Sequence, residues 1–270
     1  MDNIANSEFY ANSEGLYTAM TLNFEKGEVV FNQTNYTETE KAAEYMAKME
    51  KMTNKPSDKY AKAIAKDPYF YMLANFDGKL IVDELFSVLK AYLPSENPEA
   101  ADVLDVIRNI IGYIKGDILF ALSELNISFM GVTADMSLLI ESDAKALYGD
   151  LRNLIITKTP GIESYITVNT DEQLVISQSG FTMYLGHNGN TFYFTTNEEI
   201  AKNPAHTVAE DLTSSRYFDK SMPNASVVLD FKKLMKNPMI QMGLSSLGSD
   251  ADLKNFIGSL DYVSSVGKTG

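Results

Sequence analysis

The run Tyr69-Phe70-Tyr71-Met72-Leu73-Ala74-Asn75-Phe76 is apolar at positions of both parities. A strand with one wet face alternates apolar and polar residues, so this run reads as a strand covered from both sides. A second run of the same shape, Asn224-Ala225-Ser226-Val227-Val228-Leu229-Asp230-Phe231, comes later, and each run ends in a polar residue followed by Phe. After the first, Ile81, Leu85, Val88, Leu89 and Tyr92 lie at helical spacing and Pro94 ends that helix. Asn97-Pro98-Glu99 opens another, with an N-cap residue, Pro at the first helical position and an acid in the first turn. Its buried stripe is expected to be Val103, Leu104, Ile107, Ile110 and Ile111, and Gly116-Asp117-Ile118-Leu119-Phe120-Ala121-Leu122 then reads as a strand. After the second run, Ser249-Asp250 caps a helix carrying Leu253, Phe256, Ile257 and Leu260, and Asp261 to Val266 stands in the place of the Gly116 strand. The order predicts a duplicated strand–helix–helix–strand module, with two copies and so no solenoid.

Around these modules, strand patterns dominate. Leu16, Thr18, Met20, Leu22 and Phe24 alternate with polar or small residues, Glu25-Lys26-Gly27 supplies a turn, and Glu28 to Asn32 returns as the partner strand. Leu22, Phe24, Val29 and Phe31 are expected to be buried. Thr37-Glu38-Thr39-Glu40 reads as a capping box before a helix whose stripe is Ala42, Tyr45, Met46, Met49 and Met52, read as core packing. Met136, Leu138 and Ile140 alternate, Ser142 is expected to cap a helix bearing Ala144, Leu147, Tyr148, Leu151 and Leu154, and further strands are expected near 165–168, 173–177, 181–185 and 191–195. Gly186 to Asn190 is their clearest turn, and Asn203 to Tyr217 reads as a long connection. The fold class is therefore α+β, mostly antiparallel sheets with helices packed on one face and two related modules. The expected division is 1–60 as the tail of a preceding module, 61–203 as a complete module and 204–270 as a second, truncated one.

Charge and composition exclude several chemistries. With Lys+Arg 23 against Asp+Glu 36 the net charge is −13, which disfavours a nucleic-acid backbone or an anionic membrane leaflet as partner. No apolar run approaches the roughly 18 residues of a membrane helix. Cys is absent, so disulfides, thiolate nucleophiles and Cys-ligated metals are excluded. The two histidines, His187 and His206, read as surface loop residues. Gly267-Lys268-Thr269 lacks the rest of a phosphate-binding loop, and Asp250-Ala251-Asp252 lacks the Gly and closing Glu of a calcium loop. Among the carboxylates, Asp77, Asp83, Glu84, Asp117, Asp135 and Glu141 are candidates for a paired-acid site. Asp117, at the start of an apolar strand, reads as a backbone-capping residue. No catalytic, cofactor-binding or metal residue is assigned, and no cofactor is expected.

The hairpin Leu22-Asn23-Phe24-Glu25-Lys26-Gly27-Glu28-Val29-Val30, of the form LxFxxGxhxh with h apolar, precedes a helix, the Tyr69 strand and Gly116-Asp117-Ile118. In this order the chain resembles the C-terminal part of Bacteroidetes lipoproteins of the domain of unknown function 4836 family, whose "GDI" strand Gly116 to Leu122 is similar to. The resemblance implies a longer precursor with a lipoprotein signal and a secreted, cell-envelope location, and it transfers no catalytic residues. The chain itself shows no signal-peptide pattern at Met1-Asp2-Asn3-Ile4. The expected function is a non-enzymatic envelope protein that binds a partner, an envelope protein or a glycan, or supports a structure. The alternative is a glycan hydrolase using two carboxylates. The module alignment also predicts a fragment cut inside a module, with Tyr262 to Val266 as an edge strand.

Overall fold

The computed structural model describes residues 14–25, 28–92, 98–128, 131–178, 180–238, 240–242 and 261–267. Strands β1 (Leu16–Glu25) and β2 (Glu28–Thr37) form a separate antiparallel hairpin, followed by helix α1 (Glu40–Glu50). The other strands join one sheet: β3 (Thr53–Asn54), β4 (Phe70–Phe76), β5 (Ile114–Ser128), β6 (Gly131–Ser142), β7 (Ile166–Asn169), β8 (Gln173–Gln178), β9 (Phe181–Asn188), β10 (Thr191–Thr195), β11 (Ala225–Leu229) and β12 (Val263–Gly267). Its order is β12-β11-β4-β5-β6-β10-β9-β8-β7, every pairing antiparallel, with β3 added to the end of β4. Helices α2 (Gly78–Tyr92) and α3 (Pro98–Gly112) join β4 to β5, α4 (Ala144–Lys158) follows β6, and α5 (Glu198–Lys202) and α6 (Phe231–Leu234) are short. This is the expected α+β class. Among the described residues β12 stands at the end of the sheet order, its neighbour being β11.

The double apolarity of Tyr69 to Phe76 follows from its place in the middle of this sheet. On one face Tyr71 and Leu73 of β4 meet Leu119 and Ala121 of β5, Leu139 of β6, Tyr193 of β10 and Val228 of β11. That face is covered by loops and short 3-10 turns, through Tyr60, Ala61, Ile64 and Leu212, and by Ile200 and Ala201 of α5. On the other face Ile118, Ile140, Leu185 and Phe192 pack against Ala144, Leu147 and Tyr148 at the start of α4. Full burial of one such aliphatic side chain is worth about 2 kcal/mol, so a strand that contributes to both layers is held far more firmly than one with a wet face.

Several local expectations shift by a residue or two. The N-cap of α1 is Thr39, whose hydroxyl accepts from the Ala42 N–H at 3.1 Å, while Thr37 still belongs to β2. The strand wins at Thr37 because its backbone is paired with Leu16. Likewise Ser142 ends β6, with its hydroxyl donating to the Ile140 carbonyl oxygen, and Asp143 stands at the N-cap of α4. The β9–β10 turn narrows to Gly189 and Asn190, because Gly186 to Asn188 stay in the ladder and Gly189 takes φ +59°. Burial on α2 falls on Val82 and Phe86, one position from the expected stripe, and on α3 Ile107 faces solvent. Leu85, Val88, Leu89, Tyr92 and Val103 lie outside the described side chains. The α1 stripe buries Ala42, Tyr45 and, beyond the helix end, Met52, whereas Met49 is exposed. In the hairpin the backbone pairs Leu22↔Phe31 and Phe24↔Val29 form; whether those side chains are buried lies outside the described residues. The described apolar residues Tyr17, Met20 and Tyr36 each expose more than half their surface, so no covering layer lies over this part of the hairpin among the described residues.

The α2–α3 pair depends on one close approach. A Cβ on Gly78 would lie 1.8 Å from the Ile111 carbonyl oxygen and 3.0 Å from that of Ile114. Replacing Gly by Ala otherwise stabilises, by about 0.4–1 kcal/mol, where the native backbone suits both residues. Here the added methyl meets backbone that cannot step aside, so Gly78→Ala is expected to destabilise by roughly 2 kcal/mol. Urea unfolding decides the sign: a lower midpoint supports this packing, and a higher one contradicts it.

Candidate functional site

A row of polar side chains crosses one end of the sheet, on the face that carries Leu73, Leu119, Leu139 and Tyr193. Asn224 of the segment entering β11 lies beside Asn75 of β4, Asn75 pairs with Asp117 of β5, and Glu141 of β6 pairs with Thr191 of β10. Asp117 and Glu141 each adjoin the Ile118↔Ile140 pair that links β5 to β6. Asp117 is only 2% exposed. Its carboxylate accepts the Asn75 side-chain N–H at 2.7 Å and the Ser57 backbone N–H at 3.1 and 3.2 Å, and the Ser57 hydroxyl donates to it as well. A buried carboxylate is tolerated when donors of this kind replace water. The three donors fasten the segment after β3 to the sheet end, and Tyr60 and Ala61 are thereby laid over the core. Next to this clamp the Tyr60 hydroxyl is 2.9 Å from the Thr191 hydroxyl, the Lys59 ammonium donates to the same oxygen at 3.4 Å, and Asn190 donates to Glu141 at 2.7 Å. Burial pushes the Tyr60 phenol up to about 12; the Thr191 hydrogen bond opposes this, and the charges of Glu141 and Asp117 add to it.

Chemically, this network is a fastening. A serine hydroxyl becomes a nucleophile when a base takes its proton, and here the carboxylate facing Ser57 is occupied by two further donors and closed to solvent. The expected backbone-capping role of Asp117 is present, in the Ser57 N–H. The side-chain partners could not be read from the sequence, because Ser57 and Asn75 reach Asp117 only through the fold.

The remaining candidate acids are dispersed. Asp77 accepts from the Lys79 and Leu80 backbone N–H groups and caps α2, Glu84 pairs with Lys48, and Asp83 is exposed. Asp135 on β6 is half-buried; burial raises its pKa, a hydrogen bond from Asn197 opposes the rise, and the charge of Glu124 adds to it. His187 lies in β9 and not in a loop, its Nε2 3.1 Å from the Asp171 carbonyl oxygen and its ring 5.6 Å from that of Tyr148. His206 is in the long connection, with Nδ1 2.9 Å from the Asn203 carbonyl oxygen. Gly267 ends β12, while Lys268, Thr269 and Asp250 to Asp252 lie outside the described residues.

Two surface pockets stand out among the described residues. One, of about 490 Å³, is lined by Thr170, Glu172, Gln173, His187, Tyr193 and Lys202 among others. The other, of about 610 Å³, is lined by Tyr69, Arg216, Asp230, Lys232, Lys233 and Lys236. Among the described lining residues the carboxylates are Glu172 in the first and Asp230 in the second, with Asp261 beside the second through its ion pairs. In the larger pocket the Lys233 ammonium donates to the carbonyl oxygens of Asp67 at 2.8 Å and Ser123 at 3.2 Å and lies 4.4 Å from the centre of the Tyr69 ring. Asp230 caps α6 by accepting the Lys233 backbone N–H at 2.7 Å. The Asp261 carboxylate lies between Arg216, at 3.3 Å, and Lys232, at 3.4 Å. Sequence reasoning missed this pocket. Its one visible signal is Lys232-Lys233 with Lys236 in an acidic chain; Arg216 and Tyr69 arrive through β4 and the long connection.

Among known proteins, the family model of a domain of unknown function, DUF4836, matches residues 2–270. No curated protein and no solved structure matches the chain.

Two outcomes check the clamp. Asp117→Ala leaves the Asn75 and Ser57 donors without an acceptor in a closed site and is expected to cost roughly 3 kcal/mol of unfolding free energy, with Asp117→Asn costing about half as much; chemical denaturation measures both. The second outcome concerns alkali. Below the ordinary phenol value of 10.0 both folded and unfolded chains keep the Tyr60 proton, so its contribution is level. Above it the unfolded chain ionises first, and stability falls as pH rises toward about 12. Tyr60→Phe should flatten that fall in a pH series of unfolding midpoints.

Proposed function

Given that the chain belongs to the family of the domain of unknown function DUF4836, we propose that it is a non-enzymatic protein of the cell envelope with a binding or structural role, carried there as a Bacteroidetes lipoprotein. The observation that carries this reading is the part played by Gly116-Asp117-Ile118. Gly116 leaves room for the Glu141 carboxylate, since a Cβ there would meet Oε2 at 2.6 Å. Asp117 is the clamp on the segment after β3, and Ile118 belongs to the core beneath α4. Each residue of the motif thus builds the fold. The glycan-hydrolase alternative needs two carboxyl groups facing one cleft about 5 to 9 Å apart. Among the described residues the smaller pocket carries one carboxylate, Glu172; at the larger pocket Asp230 caps α6 and Asp261 is paired with Arg216 and Lys232; and Asp117 is closed to solvent.

The duplicated module is part of the same proposal, with residues 61–203 and 204–270 as its two copies and 1–60 as the tail of another. Its support is the sheet register. With Tyr69–Phe76 laid on Asn224–Phe231 and Gly116 on Asp261, the pair Ala74↔Ile118 of the first copy coincides with Leu229↔Val263 of the second. The two leading strands pair about Met72↔Val227, which are equivalent positions in that alignment.

Fractionation of cells producing the native protein, combined with metabolic labelling by a radioactive fatty acid, tests the location. Label and protein together in the envelope fraction are expected; unlabelled protein in the cytosol would sink the lipoprotein reading. Release of reducing ends from envelope glycans by the purified chain, lost in Glu141→Gln or Glu172→Gln, would favour the hydrolase.

A further inference from the structure

We propose that the pocket formed by Tyr69, Arg216, Lys232, Lys233 and Lys236 is a binding site for a phosphorylated ligand, a phosphomonoester carried on a polar organic body. The proposal deepens the binding reading above and rests on it. The chain carries a net charge of −13, yet this pocket gathers four cations. Two carboxylates offset them in part: Asp230, held as the cap of α6, and Asp261, placed between Arg216 and Lys232. Among the described residues two positive charges at the site are left uncompensated, and Lys236 makes no ion pair with a described residue. An excess of this size matches a phosphomonoester, whose charge is about −1.5 to −2 near neutral pH, better than a monocarboxylate.

The arrangement also suits phosphate in kind. Arg216 offers a planar fork of donors, and Lys232 and Lys236 offer mobile point charges from exposed positions around the opening. Arg216 and Lys232 each meet one oxygen of the Asp261 carboxylate, and Arg216 also donates to the Tyr217 hydroxyl, so both cations are held at the pocket with donors to spare. Lys233 has a different part. Its ammonium is tied to two carbonyl oxygens and to the Tyr69 ring, so it sets the floor of the pocket and contributes charge without moving. At about 610 Å³ the pocket holds more than a phosphate, and the Tyr69 ring gives the attached body a flat apolar wall. A sugar phosphate and the headgroup of an anionic phospholipid share this chemistry.

Calorimetric titration of the whole chain at low ionic strength tests the site with glucose 6-phosphate, glucose and acetate. Glucose 6-phosphate is expected to bind at least roughly tenfold more tightly than acetate, and glucose to give no measurable binding. Affinity should fall with added salt, and fall between about pH 7.5 and about pH 5 as the phosphate takes up its second proton. The double variant Arg216→Gln/Lys236→Gln, at two exposed side chains, should lose roughly tenfold or more, while Lys202→Gln in the other pocket should bind as the parent does. Sedimentation with phosphatidylcholine vesicles, with and without phosphatidic acid, separates the sources. Stronger binding to the phosphatidic acid vesicles than to the sugar phosphate assigns the lipid headgroup, and the reverse assigns the soluble ester; either supports the site. Glucose 6-phosphate binding no tighter than acetate, or a double variant that binds like the parent, overturns it. Phosphate released during the titration would leave the site standing and remove the non-enzymatic reading, so the two proposals fail separately.

Discussion

Strand β4 is hydrogen-bonded on one side to β5 and on the other to β11, and these pairings join parts of the chain that lie far apart in sequence. Each such closure costs chain entropy before any contact rewards it. The compensation is visible in the side chains. Tyr71 and Leu73 fill the layer beneath the irregular segments, and their neighbours Met72 and Phe76 pack against the layer that α4 covers. Were either layer absent, β4 would carry apolar side chains into water, and the strands on each side of it would lose the template they pair with. The helices, the clamp and the larger pocket are all placed relative to that strand: Tyr69, on the pocket wall, directly precedes it, and Asn75, near its other end, reaches the clamp.

The sheet is covered differently on its two faces. Helix α4 brings its own backbone hydrogen bonds and meets the sheet mainly by apolar contact, with polar links from Tyr148 to the Thr170 carbonyl oxygen and from Arg152 to Asn169. The opposite face is roofed by loops with short 3-10 turns and by the five-residue helix α5, and most of this polar backbone must find partners one by one. The Asp117 carboxylate and backbone bonds such as the Leu212 N–H to the Ile64 carbonyl oxygen supply them, while the Thr191 hydroxyl holds the Tyr60 side chain. Polar residues at the margin of an apolar sheet therefore serve the roof, and their concentration in one row does not require a reaction.

Much of this was legible in the sequence because period-2 and period-3.6 patterns report which faces are buried. The Tyr69 run, the Pro98 start of α3, the strand at Gly116 and the β9–β10 hairpin all follow from such patterns. Boundaries were less legible where two local preferences competed. Thr37 and Ser142 are plausible caps, but each remains paired in a strand, and the next suitable residue takes the helix start. Ile107 shows the limit of periodicity on α3, where the pattern marks an apolar position that no described partner covers. The candidate sites were the least legible part. Asp117 stood out as a polar residue in an apolar strand, but its partners Ser57 and Asn75 come from separate segments. The cationic pocket draws on Tyr69, Arg216 and the Lys232 to Lys236 stretch, which only the β4–β11 pairing brings together.

The central claim is that β4 binds the β5 side and the β11 side of the sheet into one cooperative unit. Native-state hydrogen exchange along a denaturant series measures this directly. The account predicts that the ladder amides of β4, β5 and β11 open at one common free energy, equal to that of global unfolding. A β11 that exchanges through a separate opening of clearly lower free energy, while β4 and β5 stay protected, would contradict it.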